Sequence, residues 1–470
     1  MSAGPPNFFR ILAFNPVLDI GPDPPSQLQS LISSNPHLKI YTRASPHFDA
    51  LKSVWNLKYA GNEPLALVRA TNTSEVSTIV RFCVARNIPL AVRSGGHDLF
   101  GRSIVPDAVI LDIRELNGIE IAEGDEKTVT IGGGTQSGDL VDFLAARGLV
   151  TSSTLAGIVG WAGWAFSGGF GPLVNAYGLG VDQIVSARIA TADGEVKEAD
   201  PELLWGIKGA GGAFGVITDL TVKVYPLAKM LGGMVLFQFD QAARVIEDVQ
   251  KIFDTGTVPK ELCIGAHFSK RGGAPMLSMA FSWVSEDLEE GRKWLERIKG
   301  LGNVMMDMVS ETSLKKWSDM MGPMLPPPSY NHSRSFFINK MTPAAVDILS
   351  SAVEKIPDGV QFGIGNFFVR GEAIEPRPDS SYRLREPYVF VHALAPVLDP
   401  ARAEEAVKWP EGIHEKMEEE GLIKANYLAI LDEGLSVEKC FGKENFDRLR
   451  ALKKEVDPEN VFRFTPANLV

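Results

Sequence analysis

At 470 residues, 45% hydrophobic and 22% charged, the chain is too long for one simple core and has the makeup of an ordinary globular protein of two or three domains. Its formal net charge of −11 argues against a general nucleic-acid binder, which needs a basic surface to displace counterions. The cysteines, Cys83, Cys263 and Cys440, are scattered without a CxxC or a neighbouring ligand histidine, which excludes a disulfide scaffold and a cysteine-based zinc site; no metal site is expected.

The N-terminal stretch has no basic n-region, and its apolar run is broken by Arg10, Asn15 and Pro16, so no secretory signal is expected. Residues 64–70 read as a strand. From Thr73, the apolar positions Val76, Ile79, Val80, Cys83 and Val84 fall at helical spacing, and Asn87 and Pro89 end that helix. A strand follows at 90–93, then the tight loop SGGHD, and further strands at 108–113 and 128–131. A helix is expected over 137–147, closed by Gly148. The most apolar long stretch, 155–170, is shorter than a membrane span and dense in glycine, so no membrane segment is expected; with the cysteine usage, this points to an intracellular, cytoplasmic protein. IVSARIATADGEV reads as a hairpin turning at Asp193-Gly194, and GVITDLTVKVYP as a strand ending at Pro226.

Residues 227–420 change texture. MVLFQF, LCIGAHF, MLSMAFSWV, SFFINK, FGIGNFF and YVFVHAL are strand-like runs spaced by amphipathic helices such as 241–253. That pattern predicts an antiparallel sheet with helices on one face, an α+β layer. The loop MGPMLPPPSYNHS, whose Pro326 to Pro328 exclude regular structure, is a candidate lid or entrance. An amphipathic helix over 445–456 ends at Asp457-Pro458.

Chemistry concentrates in four glycine clusters. Ser94, Gly95, Gly96, His97 and Asp98 form a tight turn whose N–H groups can converge as an anion nest. Gly132, Gly133 and Gly134 lead to Thr135; a third cluster spans 157–171; the fourth is Gly209, Gly211, Gly212 and Gly215. Such clusters suit a long cofactor lying against exposed backbone. None carries the Walker lysine or a GxGxxG between strand and helix, which disfavours P-loop and Rossmann readings.

In order, RSGGHDLFG, VILDIRELNGIEI, IGGGTQSGDLVDFL, WAFSGGFGPLVNAYGLGVDQI and LLWGIKGAGGAFGVIT resemble the FAD-binding domain of the vanillyl-alcohol-oxidase (PCMH-type) superfamily. The similarity is greatest to its berberine-bridge-enzyme and 6-hydroxy-nicotine-oxidase branch. NYLAILDEG and CFGKENFDRLRALKKEVDPENVFRF are similar to that branch's C-terminal signature. The resemblance implies a two-subdomain FAD-binding domain over 1–226 (core about 60–226), a substrate domain over 227–420 and a C-terminal segment, 421–470, returning to the FAD domain.

It also implies roles for matching positions. Arg93, Ser94, Gly95, Gly96, His97 and Asp98 would wrap the FAD diphosphate, and His97 stands where the family bonds histidine to the flavin. Gly134 and Thr135 belong to the second cluster. Gly157, Gly160, Gly163, Ser167, Gly168 and Gly171 would line the diphosphate and flavin edge, Gly215, Val216 and Ile217 would approach the adenine end, and Asn426 would contact the isoalloxazine. Ala156 falls where many members carry a second, cysteinyl link, so none is expected, and Trp161 falls near a position that gates oxygen in plant relatives.

A proton acceptor is needed beside the flavin's reactive face. Tyr427, which matches a family tyrosine, and His392 are the candidates, with Asn366 and Tyr388 weaker. The expected function is FAD-dependent removal of a hydride from a small, apolar alcohol, amine or phenolic secondary metabolite, with oxygen or another acceptor taking the electrons. A cyclase or other non-redox catalyst holding FAD structurally is the second reading, and a non-catalytic flavin-binding protein the third. Bleaching of the flavin by substrate separates the first from the others.

Overall fold

The computed structural model describes residues 25–124, 127–360, 362–432 and 434–470. The N-terminal stretch, for which no secretory signal is expected, lies outside them. The buried run ALVR forms the strand Ala66–Arg69, and Asn72 caps the next helix, Thr73–Ala85, by accepting from Glu75 N–H. Its apolar stripe, from Val76 to Cys83, packs on a four-stranded sheet ordered Lys39–Tyr41, Ala66–Arg69, Val109–Asp112, Leu90–Arg93. Burial pushes the Cys83 thiol up to about 12, so it packs as an inert apolar group. Both pairings onto Val109–Asp112 are parallel, so Leu90–Arg93 and Val109–Asp112 run the same way and deliver the loop at 94–98 to one sheet end.

A five-stranded antiparallel sheet follows, in the order Ile119–Glu120, Thr128–Gly132, Val216–Lys223, Ile184–Ala190, Val196–Glu198. The expected hairpin forms there. Asp193 accepts from Thr191 Oγ1 at 2.7 Å and from Glu195 N at 2.9 Å, while Gly194 takes φ +73°. The helices Ser137–Ala145, Trp161–Phe166, Pro201–Ala210 and, from the far end of the chain, Lys443–Val456 complete this core.

The remaining chain builds a nine-stranded antiparallel sheet. From one edge it runs Val304–Asp307, Met230–Phe237, Ala274–Trp283, Leu262–Arg271, Gly363–Val369, Tyr388–Val397, Tyr330–Ile338, Ile423–Asn426, with Ser310–Thr312 also on Met230–Phe237. Helices Ala242–Asp254, Leu288–Lys299, Pro343–Glu354 and Ala403–Glu419 bury their apolar stripes on one face. Strand alternation gives the opposite face a different set of side chains, among them Gly265, Phe367, Phe390 and His392, and that face looks onto a large cavity. Ile423–Asn426 adds to this sheet while Lys443–Val456 packs on Pro201–Ala210, so the C-terminal segment ties the two halves together.

The proline-rich loop is pinned. Ser329 N donates to Trp55 O at 3.2 Å, Leu57 N to Ser329 O at 2.9 Å, and Asn56 Nδ2 to Asn331 O at 3.0 Å. Met321, Leu325 and Pro326 of this segment form part of the cavity wall. Among the described residues, no helix is long and apolar enough to cross a membrane.

Candidate cofactor and substrate site

Leu90–Arg93 ends at the turn 94–98, where Gly96 takes φ +73°, a conformation that a side chain would strain. Ser94 Oγ donates to Gly133 O at 3.1 Å, joining the first glycine cluster to the second. The third cluster seats directly on the first. A Cβ on Gly160 would stand 2.6 Å from Ser94 Oγ and 2.8 Å from Gly95 N, so the two turns touch backbone to backbone. Gly134 lies against the Ile113 carbonyl, and Gly157 against Gly138, whose N–H donates to its carbonyl at 2.8 Å. These glycines are required by chain-on-chain packing. Gly163 and Gly212 differ, because both line the cavity and a Cβ on either would meet nothing within 4 Å.

The cavity measures about 660 Å³, within the range of small-molecule and cofactor sites. Its walls come from the four-, five- and nine-stranded sheets. Of the sequence-derived candidates it gathers Ser94, Gly95, Gly96, His97, Asp98, Gly160, Gly163, Ser167, Gly171, Gly215, Ile217, His392 and Tyr427. The others are placed elsewhere. Arg93 is fully buried beneath the turn, donating to Leu51 O at 3.1 Å and to Ser53 O, and so braces the segment before Trp55. Gly134, Thr135, Gly157 and Gly168 sit in the packed layer behind the wall, and Val216 faces the first core. Asn426 points the opposite way from Tyr427, as neighbours in extended chain must; its Oδ1 lies 3.5 Å from His414 Nε2 on the helical side of the sheet. Asn366 likewise falls in register with Ala266 and Val391, which face the helices. Trp161 is fully buried, its indole donating to Ser152 O at 3.1 Å; Trp164 reaches the cavity instead.

The wall also includes residues outside the quoted motifs, among them Trp55, which precedes them, and Thr465 and Pro466, which follow the last one. None carries a local signal. Trp55 packs its ring 5.0 Å from that of His97.

His97 hydrogen-bonds to the Ile158 backbone; burial, then the nearby Arg93 charge, pushes its pKa down to about 4, so the ring is neutral at pH 7. His392 Nε2 lies 2.8 Å from Ser333 Oγ, and burial followed by the proximity of His267 again pushes the pKa down to about 4. Burial moves Tyr427 well above the usual phenol range against a hydrogen bond from the Gly169 backbone, so the hydroxyl keeps its proton. Its ring sits edge-on to Phe170, Phe337 and Phe390 at 5.3, 5.9 and 5.0 Å. The charged lining residues are Asp98 and Arg102, paired with each other at 3.0 Å. Away from the cavity, His332, Glu411 and Asp432 come close together, but Arg334 sits among them, 2.9 Å from Glu411 and 2.5 Å from Asp432, and supplies the positive charge.

Residues 64–200 match the FAD binding domain family, and residues 426–467 match the berberine and berberine-like family. The FAD-linked oxidoreductase aurO of Gibberella zeae is 38% identical over 461 residues, spanning 97% of this chain and 90% of that protein. The chain belongs to the berberine-bridge-like FAD-linked oxidoreductases. As expected of a member, it is 30% identical over 275 residues to (R)-6-hydroxynicotine oxidase of Paenarthrobacter nicotinovorans, 57% of this chain and 59% of that one. The fold of this FAD-linked oxidoreductase matches crystalline 6-hydroxy-D-nicotine oxidase from Arthrobacter nicotinovorans with a TM-score of 0.83 at 24% identity, covering 92% and 98% of the two chains. A chitooligosaccharide oxidase matches with a TM-score of 0.80 at 18% identity, covering 94% and 99%. The residues present fit FAD: the glycine turns open a backbone-walled trough at Gly163 and Gly212, and the cavity continues from there to the sheet.

Proposed function

We propose that this oxidoreductase removes a hydride from a small, neutral, largely apolar alcohol, amine or phenolic, with FAD bonded to His97 alone. The observation that carries the reading is the composition of the substrate wall. Opposite the glycine turns, the cavity is bounded by Met321, Leu325, Phe362, Phe367, Phe390 and Leu394, with His392, Tyr427 and Ser282 among its polar side chains. A sugar would leave most of its hydroxyls unpaired against such a surface, at about 1–3 kcal/mol for each buried polar group. An ionic substrate would find no unpaired counterion, since Asp98 and Arg102 neutralise each other.

FAD, when bound, supplies the two-electron acceptor. The turn 94–98, Gly160, Gly163, Ser167, Gly212, Gly215 and Ile217 would hold it. A neutral His97 offers a nitrogen lone pair, the form that covalent attachment requires, and Ala156 offers no second link. Of the two candidate proton acceptors, His392 is favoured on geometry, because it lines the cavity with its ring held by Ser333, whereas Tyr427 retains its proton and serves as a donor that orients substrate.

The test is acid precipitation of purified wild-type protein and of His97→Ala. Yellow colour is expected in the wild-type pellet and in the mutant supernatant. Colour remaining with the mutant polypeptide would remove His97 as the attachment point, and substrate turnover without anaerobic bleaching would favour a non-redox role.

A further inference from the structure

On Leu262–Arg271, Gly363–Val369 and Tyr388–Val397, His267 lies in register with Gly365, and Gly365 with His392. These residues share the face that looks onto the cavity. Two histidines therefore flank a residue without a side chain, their backbones about two strand spacings (roughly 9–10 Å) apart. A Cβ on Gly365 would touch only His267 Cδ2 at 3.9 Å and Phe362 Cε1 at 4.0 Å, so the space above it is open. The Phe362 ring closes one side, 4.5 Å from the His267 ring and edge-on to it, and 6.3 Å from the His392 ring. Phe390 stacks 6.1 Å from His392 on the other side. Phe362, Phe390 and His392 all line the main cavity.

We propose that His267, Gly365, His392 and Phe362 form a notch that receives a hydroxyl group on a flat, apolar substrate body, a phenol in chemical class, and that His267 sets the preference for it. This rests on the flavoenzyme reading above and narrows its substrate.

The chemistry of the notch selects the group. A neutral imidazole carries one N–H and one lone pair, and a hydroxyl both donates and accepts, so it suits His267 Nε2 in either tautomer. His392 Nε2 is engaged with the fully buried Ser333. His267 Nε2 is buried with no partner among the described residues, a costly state that a bound hydroxyl would relieve. Burial pushes His267 to about 4, as burial and His267 do for His392, so neither ring is a cation at pH 7 to attract a carboxylate or phosphate. The flanking rings of Phe362 and Phe390 suit a planar body.

The test uses the holoenzyme and two probes, 2-naphthol and 2-methoxynaphthalene, which differ in the hydroxyl proton. Binding is read from perturbation of the flavin visible spectrum. Wild type should bind 2-naphthol about ten-fold more tightly, the ratio that one satisfied buried hydrogen bond supplies. His267→Phe should erase that preference while leaving 2-methoxynaphthalene binding unchanged, and His267→Gln, which still donates and accepts, should retain part of it. Gly365→Ala has room for its methyl and should fold, so it carries the test if His267→Phe does not; it narrows the notch and should weaken 2-naphthol selectively. Equal binding of the probes by wild type, binding of neither, or a full preference surviving in the variants would overturn the notch. A purified protein without flavin colour would instead overturn the reading beneath it.

Discussion

Gly163 separates the cofactor trough from the fold that builds it. It lies inside the helix Trp161–Phe166, faces the cavity, and a Cβ there meets nothing within 4 Å. Without cofactor, Gly163→Ala should stabilise the protein by about 0.4–1 kcal/mol, because alanine lowers the entropy of the unfolded chain. Valine's weaker helix propensity takes back up to roughly 0.7 kcal/mol, leaving Gly163→Val close to neutral. With FAD in the trough, the same carbons become overpacking. At about 1–3 kcal/mol, affinity should fall roughly five- to 150-fold.

The matched control is Gly160→Ala. Its φ of −62° tolerates alanine, but the methyl would stand 2.6 Å from Ser94 Oγ and 2.8 Å from Gly95 N, so the two turns must part. The assay pairs the ratio of visible flavin absorbance to protein absorbance with the apoprotein melting temperature. Gly163→Val should lose flavin at an unchanged melting temperature, and Gly160→Ala should lose both. Full flavin occupancy in Gly163→Val, made in the His97→Ala background so that no covalent bond traps the flavin, would refute the placement of the cofactor against this helix.

Three further outcomes are expected. His392→Asn should lower kcat by roughly 100-fold or more in single-turnover bleaching, whereas Tyr427→Phe, which removes a donor but no base, should mainly raise KM; the reverse pattern would exchange their roles. Asp112→Asn should cost about 3–5 kcal/mol in denaturant unfolding, because the fully buried carboxylate holds Arg69 at 2.9 Å and Arg114 at 2.7 Å, and its loss leaves those guanidiniums facing each other; a loss under 1 kcal/mol would contradict this. Stability should fall in mild acid. His267 and His392 have folded pKa values of about 4, below the roughly 6.5 of an unfolded histidine, so the unfolded chain binds more protons between those values. Their contribution is complete above pH 6.5 and is lost as pH falls toward 4, by up to about 3 kcal/mol each. A flat melting temperature across that window would show the rings are not held neutral.

Local patterning was sufficient for much of this molecule. The apolar spacing from Val76 to Val84 predicts the helix Thr73–Ala85, LAVR the strand Leu90–Arg93, and Asp193-Gly194 the hairpin turn. The order of the glycine motifs is enough to identify the cofactor, and the alternation in YVFVHAL brings His392 to the cavity face. Each depends on contacts within a few residues or on a motif read in line.

Only the tertiary structure decided what those residues face. Most of the motif glycines are there so that one backbone can rest on another, as Gly160 does on Gly95, while Gly163 and Gly212 leave room for a guest; the letter G is the same in both cases. Tyr427 meets the cavity and Asn426 the helices because the pleat sends neighbours to opposite faces, and sheet position fixes which is which. His267 and His392 stand on either side of Gly365 through strand order alone. Local propensity acts over a few residues, whereas the register of a nine-stranded sheet is set by the burial of a whole face against its helices.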